Sequence, residues 1–455
     1  MNNKKTGMKS LLGSSCLLTT LLLIGSTFYT QIANAVPAFA RQTDVPCAGC
    51  HFQNFPALNG FGRHFRANGY TLIGSQKKIE GDEISLPATL NASIITKIRY
   101  QQQGSDDRGE VQWPDEAALL VGGRLSEHVG FLMELGMGPQ EAEVNVDTGD
   151  GAVTCFDGTG APVLPNDINA VSCNANTGTG DGGGDVTGNF LSTKIHFNVT
   201  DNFAVIPFST DGLGVGYGFE LLNTGVQRSQ RPIENRKGFS AGQMIGTASG
   251  EATGLALVYH TDDWFVNYSH WAPTWGNVDA NVLGGLAHYL RAAYMPSIGG
   301  WDMGVGFSMM SGTIDVGDVD PATKVMVDSW GIDAQAQGAV GDMPLGVYLS
   351  YGAAPKSTGT GEDENAYNTS LTDDATALGL LAKLGVIPGK TQVYLGYGSY
   401  DSNATSVADF TIGVQHMVDQ NIKLELYNVS SDAEDGAGAD DKSKDYTMLM
   451  LFAGF

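Results

Sequence analysis

Five adjacent residues carry the clearest chemistry in the chain: Cys47-Ala48-Gly49-Cys50-His51. Two thiols spaced C-x-x-C add to the vinyl groups of a haem, and the histidine that follows ligates its iron. Two other uses of such a pair compete. A zinc site needs two further ligands at matching spacing, and no nearby pair supplies them. A thioredoxin-like redox pair needs a βαβ setting, which is absent here. The motif therefore predicts one covalent haem c, held by Cys47 and Cys50, with His51 as proximal ligand and as the residue through which redox chemistry would run.

The flanks fit that reading. Phe52, Phe55, Phe61 and Phe65 supply apolar cover. Residues 57–68 predict a short helix that stops at Asn68-Gly69. At helical spacing Leu58, Phe61 and Phe65 share one face, suited to lie on the porphyrin. Arg41, Arg63 and Arg66 could pair with propionates or stay solvated. The distal ligand is not legible. His64 is the nearest histidine but lies beside the apolar stripe, and Met133 is the first methionine after the motif. A ligand from the later chain, or water, is equally compatible.

The elements that position this site begin with export. Lys4, Lys5 and Lys9 precede the apolar run Leu11 to Ile24, and Ala33-Asn34-Ala35 is a small-x-small cleavage signal. Residues 1–35 thus read as a signal peptide, with Ala38-Phe39-Ala40 as a second possible cut. Residues 36–85 form the haem segment, too small for a sizeable core of its own. Residues 86–455 break into stretches of about ten residues with period-2 alternation, the pattern of an outer-membrane β-barrel. In 91–100, Asn91, Ser93, Lys97 and Arg99 oppose Ala92, Ile94, Ile98 and Tyr100. In 421–427, Lys423, Glu425 and Tyr427 oppose Ile422, Leu424 and Leu426; in 391–397, Val393, Leu395 and Tyr397 oppose Gln392, Tyr394 and Gly396.

Tight turns fall near Glu127-His128, Asp201-Asn202, Asp262-Asp263, Ile298-Gly299-Gly300, Gly341-Asp342, Pro388-Gly389 and Asp419-Gln420. Seven such turns pair fourteen strands. A first strand near 90–101 and a last at 445–455 make sixteen, with both ends on the short-turn side. The expected fold is all-β: a sixteen-stranded antiparallel outer-membrane barrel carrying a small haem segment with one short helix. Leu213 to Leu222 also alternates and reads as a loop hairpin, a strand extension or an inward plug. The terminal Phe455 on an alternating strand resembles the assembly signal of bacterial barrels, which makes the outer-membrane lipid and the barrel-assembly machinery expected partners.

The chain has 455 residues, a net charge of -24, 42% apolar and only 16% charged residues. That balance excludes a nucleic-acid binder, because phosphate contacts need Lys and Arg. The longest loop, 139–187, has eight acidic residues and no Lys or Arg. Cys155 and Cys173 lie within it, and a disulfide between them is the default in an exported chain. Carboxylate oxygens suit Fe(II), Ca or Mg, yet such loops also serve solubility or lipid-bridging cations. Residues 36–85 hold five basic and four acidic side chains, and the later region 17 and 45, so the acidity belongs to the barrel.

A run of motifs resembles a known family. Arg41-Gln42-Thr43, Cys47-x-x-Cys50-His51-Phe52, Phe55-Pro56-x-Leu58-x-x-Phe61-Gly62-Arg63-x-Phe65, Gly69-Tyr70-Thr71 and the stretch Glu116-Ala117-Ala118-Leu119-Leu120-Val121-Gly122-Gly123-Arg124-Leu125 are similar to the outer-membrane cytochrome–porin fusions of iron-oxidising bacteria. The similarity is strong over 41–138 and architectural beyond. It implies a monohaem cytochrome at or in a sixteen-stranded barrel, oxidation of extracellular Fe(II), and delivery of the electron to a periplasmic c-type cytochrome. It gives His64 no support, since that position varies in the family pattern. A diffusion porin, or a metal-uptake channel whose haem is structural or differently used, is the alternative expectation.

Overall fold

In a computed structural model of the chain, the described residues are 37–81, 85–103, 109–136, 154–157, 162–163, 170–174, 190–210, 212–227, 232–233, 240–248, 250–273, 286–316, 323–360, 363–402, 405–435 and 445–455. The expected signal segment and most of the acidic loop lie outside them. Sixteen strands make the wall. They are β1 (Ala92–Gln103), β2 (Gly109–Arg124), β3 (Val129–Gly136), β4 (Phe190–Thr200), β5 (Phe203–Thr210), β6 (Ala252–His260), β7 (Trp264–Ala272) and β8 (Ala287–Tyr294, continued by Ser297–Ile298). The second half is β9 (Trp301–Ser311), β10 (Ser329–Val340), β11 (Met343–Ala354), β12 (Ala375–Ile387), β13 (Thr391–Asp401), β14 (Thr405–Asp419), β15 (Ile422–Asp435) and β16 (Tyr446–Gly454).

Each strand pairs antiparallel with the next, and β16 returns to β1 with Tyr446 opposite Gln103 and Gly454 opposite Ile95. Beyond that ladder, Phe455 N donates to Ile94 O (2.8 Å) and Ile94 N to Phe455 O (3.2 Å). The barrel is therefore closed, with its last residue inside the seam. All seven tight turns fall where turn chemistry places them, and they share one end of the barrel.

Alternation sets the two faces. On β13, Val393, Leu395 and Tyr397 face outward and are exposed, while Gln392 and Tyr394 face inward and are buried. On β6, Leu255, Leu257 and Tyr259 are exposed; on β14, Phe410 and Ile412. An apolar outer belt of this extent is untenable in water and ordinary in lipid, where a closed ladder also satisfies every wall amide. The chain is a porin-like barrel of the outer-membrane type.

The interior is occupied by chain. Residues 212–227, where the alternating stretch begins, form no wall strand. They make a single 3-10 turn at Val215–Tyr217 and run inside the barrel, so of the three expectations for this stretch the inward plug is the one observed. Phe219, Leu221 and Leu222 bury against wall residues that include Phe265, Val258 and Ala256. Lys194 Nζ on β4 donates to Tyr217 O (2.7 Å), and Asn267 Nδ2 on β7 to Phe219 O (3.0 Å). A one-turn helix, Ala241–Ile245, follows, capped by Ser240 and seated on Ala354, Ala375 and Ala377.

One ion cluster holds the plug to the wall. Arg291 of β8 donates to Glu220 of the plug (Nε to Oε2, 2.8 Å) and to Asp333 of β10 (Nη1 to Oδ2, 2.5 Å). Thr224 Oγ1 of the plug donates to Asp333 (2.5 Å). Arg291 and Glu220 are fully buried.

Residues Met137–Gly188 form a separate compact unit. Its described part is a three-stranded antiparallel sheet, with Thr154–Asp157 between Pro162–Val163 and Ala170–Asn174. Its register sets the Cys155 backbone opposite Cys173. Directly opposed strand residues lie within the Cα span a disulfide requires. The side chains of this pair lie outside the described residues.

Removing Arg291 strands two carboxylates in the interior, a loss of about 3–5 kcal/mol of plug docking. Arg291→Ala is expected to keep the barrel's heat-resistant gel mobility yet be cut faster by trypsin between 211 and 251, where the sequence places Arg228, Arg236 and Lys237. Equal cleavage in variant and wild type would show that the cluster does not hold the plug.

Candidate functional site

The segment expected to carry haem folds as three short helices at the short-turn end: α1 (Pro37–Thr43), α2 (Cys47–Cys50) and α3 (Gly60–Ala67). Helix α2 is a single turn, closed by His51 N donating to Cys47 O (2.8 Å). His51 leaves it in an extended conformation. Asn59 then joins the parts. Its side chain accepts from Gly62 N (3.0 Å), starting α3, and donates to Gly49 O (3.0 Å). Its backbone N donates to Cys50 O (3.0 Å). A Cβ on Gly62 would collide with Cys50 O, so α3 can press on α2 only with glycine there. The helix stops at Asn68, and Gly69 turns with φ +63, as the Asn-Gly pair predicts.

The segment is fixed to the barrel by contacts far apart in sequence. Gln42, fully buried, donates from Nε2 to Tyr70 O (2.6 Å) and Leu72 O (2.7 Å), and accepts from Asn91 (2.6 Å). Arg41 donates to Ala92 O, Arg63 pairs with Asp302 of β9, and Arg66 donates to Gln227 of the plug. Asn223 of the plug holds the backbone of Leu58 from both sides, accepting from N (2.8 Å) and donating to O (3.0 Å).

Within this frame Cys47, Cys50 and His51 are buried together. The Cys47 thiol points to Gln420 O in the β14–β15 turn (3.2 Å). Burial pushes the Cys50 thiol up to about 11, which keeps it protonated at neutral pH. Burial pushes His51 down to about 4, so its ring is neutral. Its Nδ1 lies 3.3 Å from Ala57 O. A carbonyl only accepts, so Nδ1 carries the proton and Nε2 keeps its lone pair, the arrangement that orients a metal-binding imidazole.

Phe55 meets the His51 ring edge-on (5.6 Å between centroids) and stacks on Phe452 of β16 (5.0 Å). Phe52 lies against Gly346 of β11. The other aromatics diverge. Phe65 is buried in a cluster with Phe39 (5.1 Å) and Tyr70 (5.7 Å), whereas Phe61 is 42% exposed. The common face expected for Leu58, Phe61 and Phe65 is not formed, because Asn59 caps the helix after Leu58. His64 lies on the exposed side of α3, its Nδ1 3.9 Å from Asp262. It lines a cleft of about 610 Å³ together with Asp201, His260 and Asp302.

Two lysines close to His51 were not singled out as site residues from sequence. Lys423 of β15 donates to Phe55 O (3.2 Å) and sits 3.6 Å from Glu425. Lys383 of β12 is fully buried and donates to Pro232 O (2.7 Å). Alternation marks both as inward; the depth at which each meets the haem segment needs the fold. Above them Gln392, Gln415 and Glu425 stand in register on β13, β14 and β15. Both glutamines are buried, and none of their four amide N and O atoms has a hydrogen-bond partner among the described residues. Two thiols one turn apart, a neutral imidazole with an available Nε2, and nearby unpartnered amides form a donor set that fits a covalent haem.

No family model and no curated protein matches the chain. Solved structures do. OmpT of Vibrio cholerae, expressed in the outer membrane, is 10% identical over 83% of this chain and 100% of that one, with a TM-score of 0.47. The outer membrane channel DcaP of Acinetobacter baumannii is 12% identical over 83% and 99%, at 0.46. OprB of Pseudomonas putida, in its high-pH structure, is 14% identical over 80% and 93%, at 0.49. Likenesses this distant carry no argument about function, and the barrel rests on this chain's own strand pairing.

Asn59→Ala removes the cap and the cross-tie at once, a loss of about 1–2 kcal/mol. Hydrogen exchange over residues 47–67 is expected to accelerate while the strands stay protected. Unchanged exchange there would mean that Asn59 does not brace the site.

Proposed function

We propose that this chain is an outer-membrane monohaem cytochrome–porin that oxidises extracellular Fe(II) and passes the electron to a periplasmic acceptor, a c-type cytochrome by the family resemblance. The observation that carries the proposal is the seating of Cys47, Cys50 and His51 inside the short-turn end of a barrel, with Nδ1 of His51 bonded to Ala57 O. Short turns of such barrels face the periplasm, and a site at that end would face it too.

Haem c, when bound, supplies a one-electron acceptor whose potential is set by its axial ligands and surroundings. Oxidising Fe(II) makes and breaks no bond, so the protein's work is placement and exclusion. Cys47 and Cys50 hold the cofactor and His51 offers it a neutral nitrogen. Phe55 and Phe452 keep water from the imidazole. The plug denies minerals a route inward. The acidic barrel region, 17 basic against 45 acidic residues, raises the local concentration of divalent cations. Keeping the oxidation outside would prevent insoluble Fe(III) from forming within the cell.

The diffusion-porin and metal-uptake readings need an open lumen. Two parts of the chain, 37–74 and the described residues 212–227 and 240–248, lie in this one, which favours the electron conduit. Purified protein is expected to show a c-type haem absorption spectrum that shifts to the reduced form on adding Fe(II). The Cys47→Ala, Cys50→Ala double variant should lose both signals. A haem spectrum that Fe(II) leaves unchanged would contradict the oxidase reading.

A further inference from the structure

We infer that Lys383, with the amides of Gln392 and Gln415, forms the propionate-binding wall of the haem site; this rests on the haem reading above. A haem brings two propionate carboxylates, and an anion drawn into a protein interior requires a cation or several donors. Within residues 37–74, Arg41 donates to Ala92 O, Arg63 pairs with Asp302 and Arg66 donates to Gln227. The wall offers a further cation.

The structure narrows where. Gln53, two residues after His51, reaches β12 and occupies the space a Cβ on Gly385 would need. Lys383 is the next inward position on that strand, one step deeper. It is fully buried, and its sole hydrogen bond among the described residues goes to a neutral carbonyl, Pro232 O. An ammonium buried against one carbonyl lacks its counter-charge. In register, Gly385 opposes Gln392, and Gln392 opposes Gln415. Their amides can donate to carboxylate oxygens, and both are buried without partners. The neighbouring carboxylate, Glu425, is engaged by Lys423 (3.6 Å) and by Tyr394 (2.9 Å). Lys383 and the two amides thus form a patch of donors beside His51 that a carboxylate would complete.

The test uses full-length, haem-loaded protein in detergent. In Lys383→Gln the covalent haem should remain, since Cys47 and Cys50 are untouched. Its propionate bending bands in resonance Raman should shift, and its midpoint potential should fall, because a positive charge that favours the reduced haem is gone. The expected loss is at least tenfold in the haem reduction equilibrium, about 59 mV for one electron. Lys383→Arg should restore both readouts. Gln392→Leu should shift the Raman bands without a change of charge, and it serves if Lys383→Gln does not fold. Bands that stay in place in Lys383→Gln, whatever the potential does, would overturn the assignment, as would unshifted bands in Gln392→Leu. A wild-type chain without covalent haem would instead overturn the reading on which it rests.

Discussion

In lipid a backbone amide has no water to bond, so every wall strand must find a neighbour on both sides. The seam between β16 and β1 meets that requirement, and the rest of the structure depends on it. Closing sixteen strands creates an interior wider than the wall's own side chains can fill. The chain fills it twice. Residues 37–74 lie across the short-turn end, and residues 212–227 and 240–248 lie inside the wall. The buried charges follow from this: Arg291 has a partner on the wall and another on the plug, and Arg63 reaches from the N-terminal helices to Asp302.

That arrangement joins a site too small to fold alone to a scaffold that can hold it. Helices of four, seven and eight residues bury little and would be marginal in isolation. Here Asn59 ties the ends of α2 and α3, and Arg63 and Phe55 reach the barrel wall. The same burial keeps His51 neutral and aims its Nε2 away from Ala57. In the proposed function, an electron would leave such a site through packed side chains.

Much of the wall was legible in the sequence, because strand alternation and turn chemistry are local. Asn91, Ser93, Lys97 and Arg99 face inward as their spacing requires, and the turns at Gly299-Gly300 and Gly341-Asp342 fall where glycine permits positive φ. The interior was less legible. Residues 213–222 alternate like a strand, but inside a barrel both of their faces are buried, so alternation no longer reports which side meets solvent. The Cys47-x-x-Cys50-His51 motif announced its chemistry, yet the partners of Arg41, Arg63 and Arg66 come from residues between 51 and 239 positions away. Lys383 carries no local signal for the same reason: only the fold of β12 reveals what it adjoins.

The proposed function requires an interior sealed to solutes that also holds a redox site. Single-channel recording of the wild-type protein in a planar bilayer tests this directly. Insertion without steady conductance is the predicted result. Stable open-channel currents of the size a diffusion porin carries would contradict it, and would return the barrel to the class of pores.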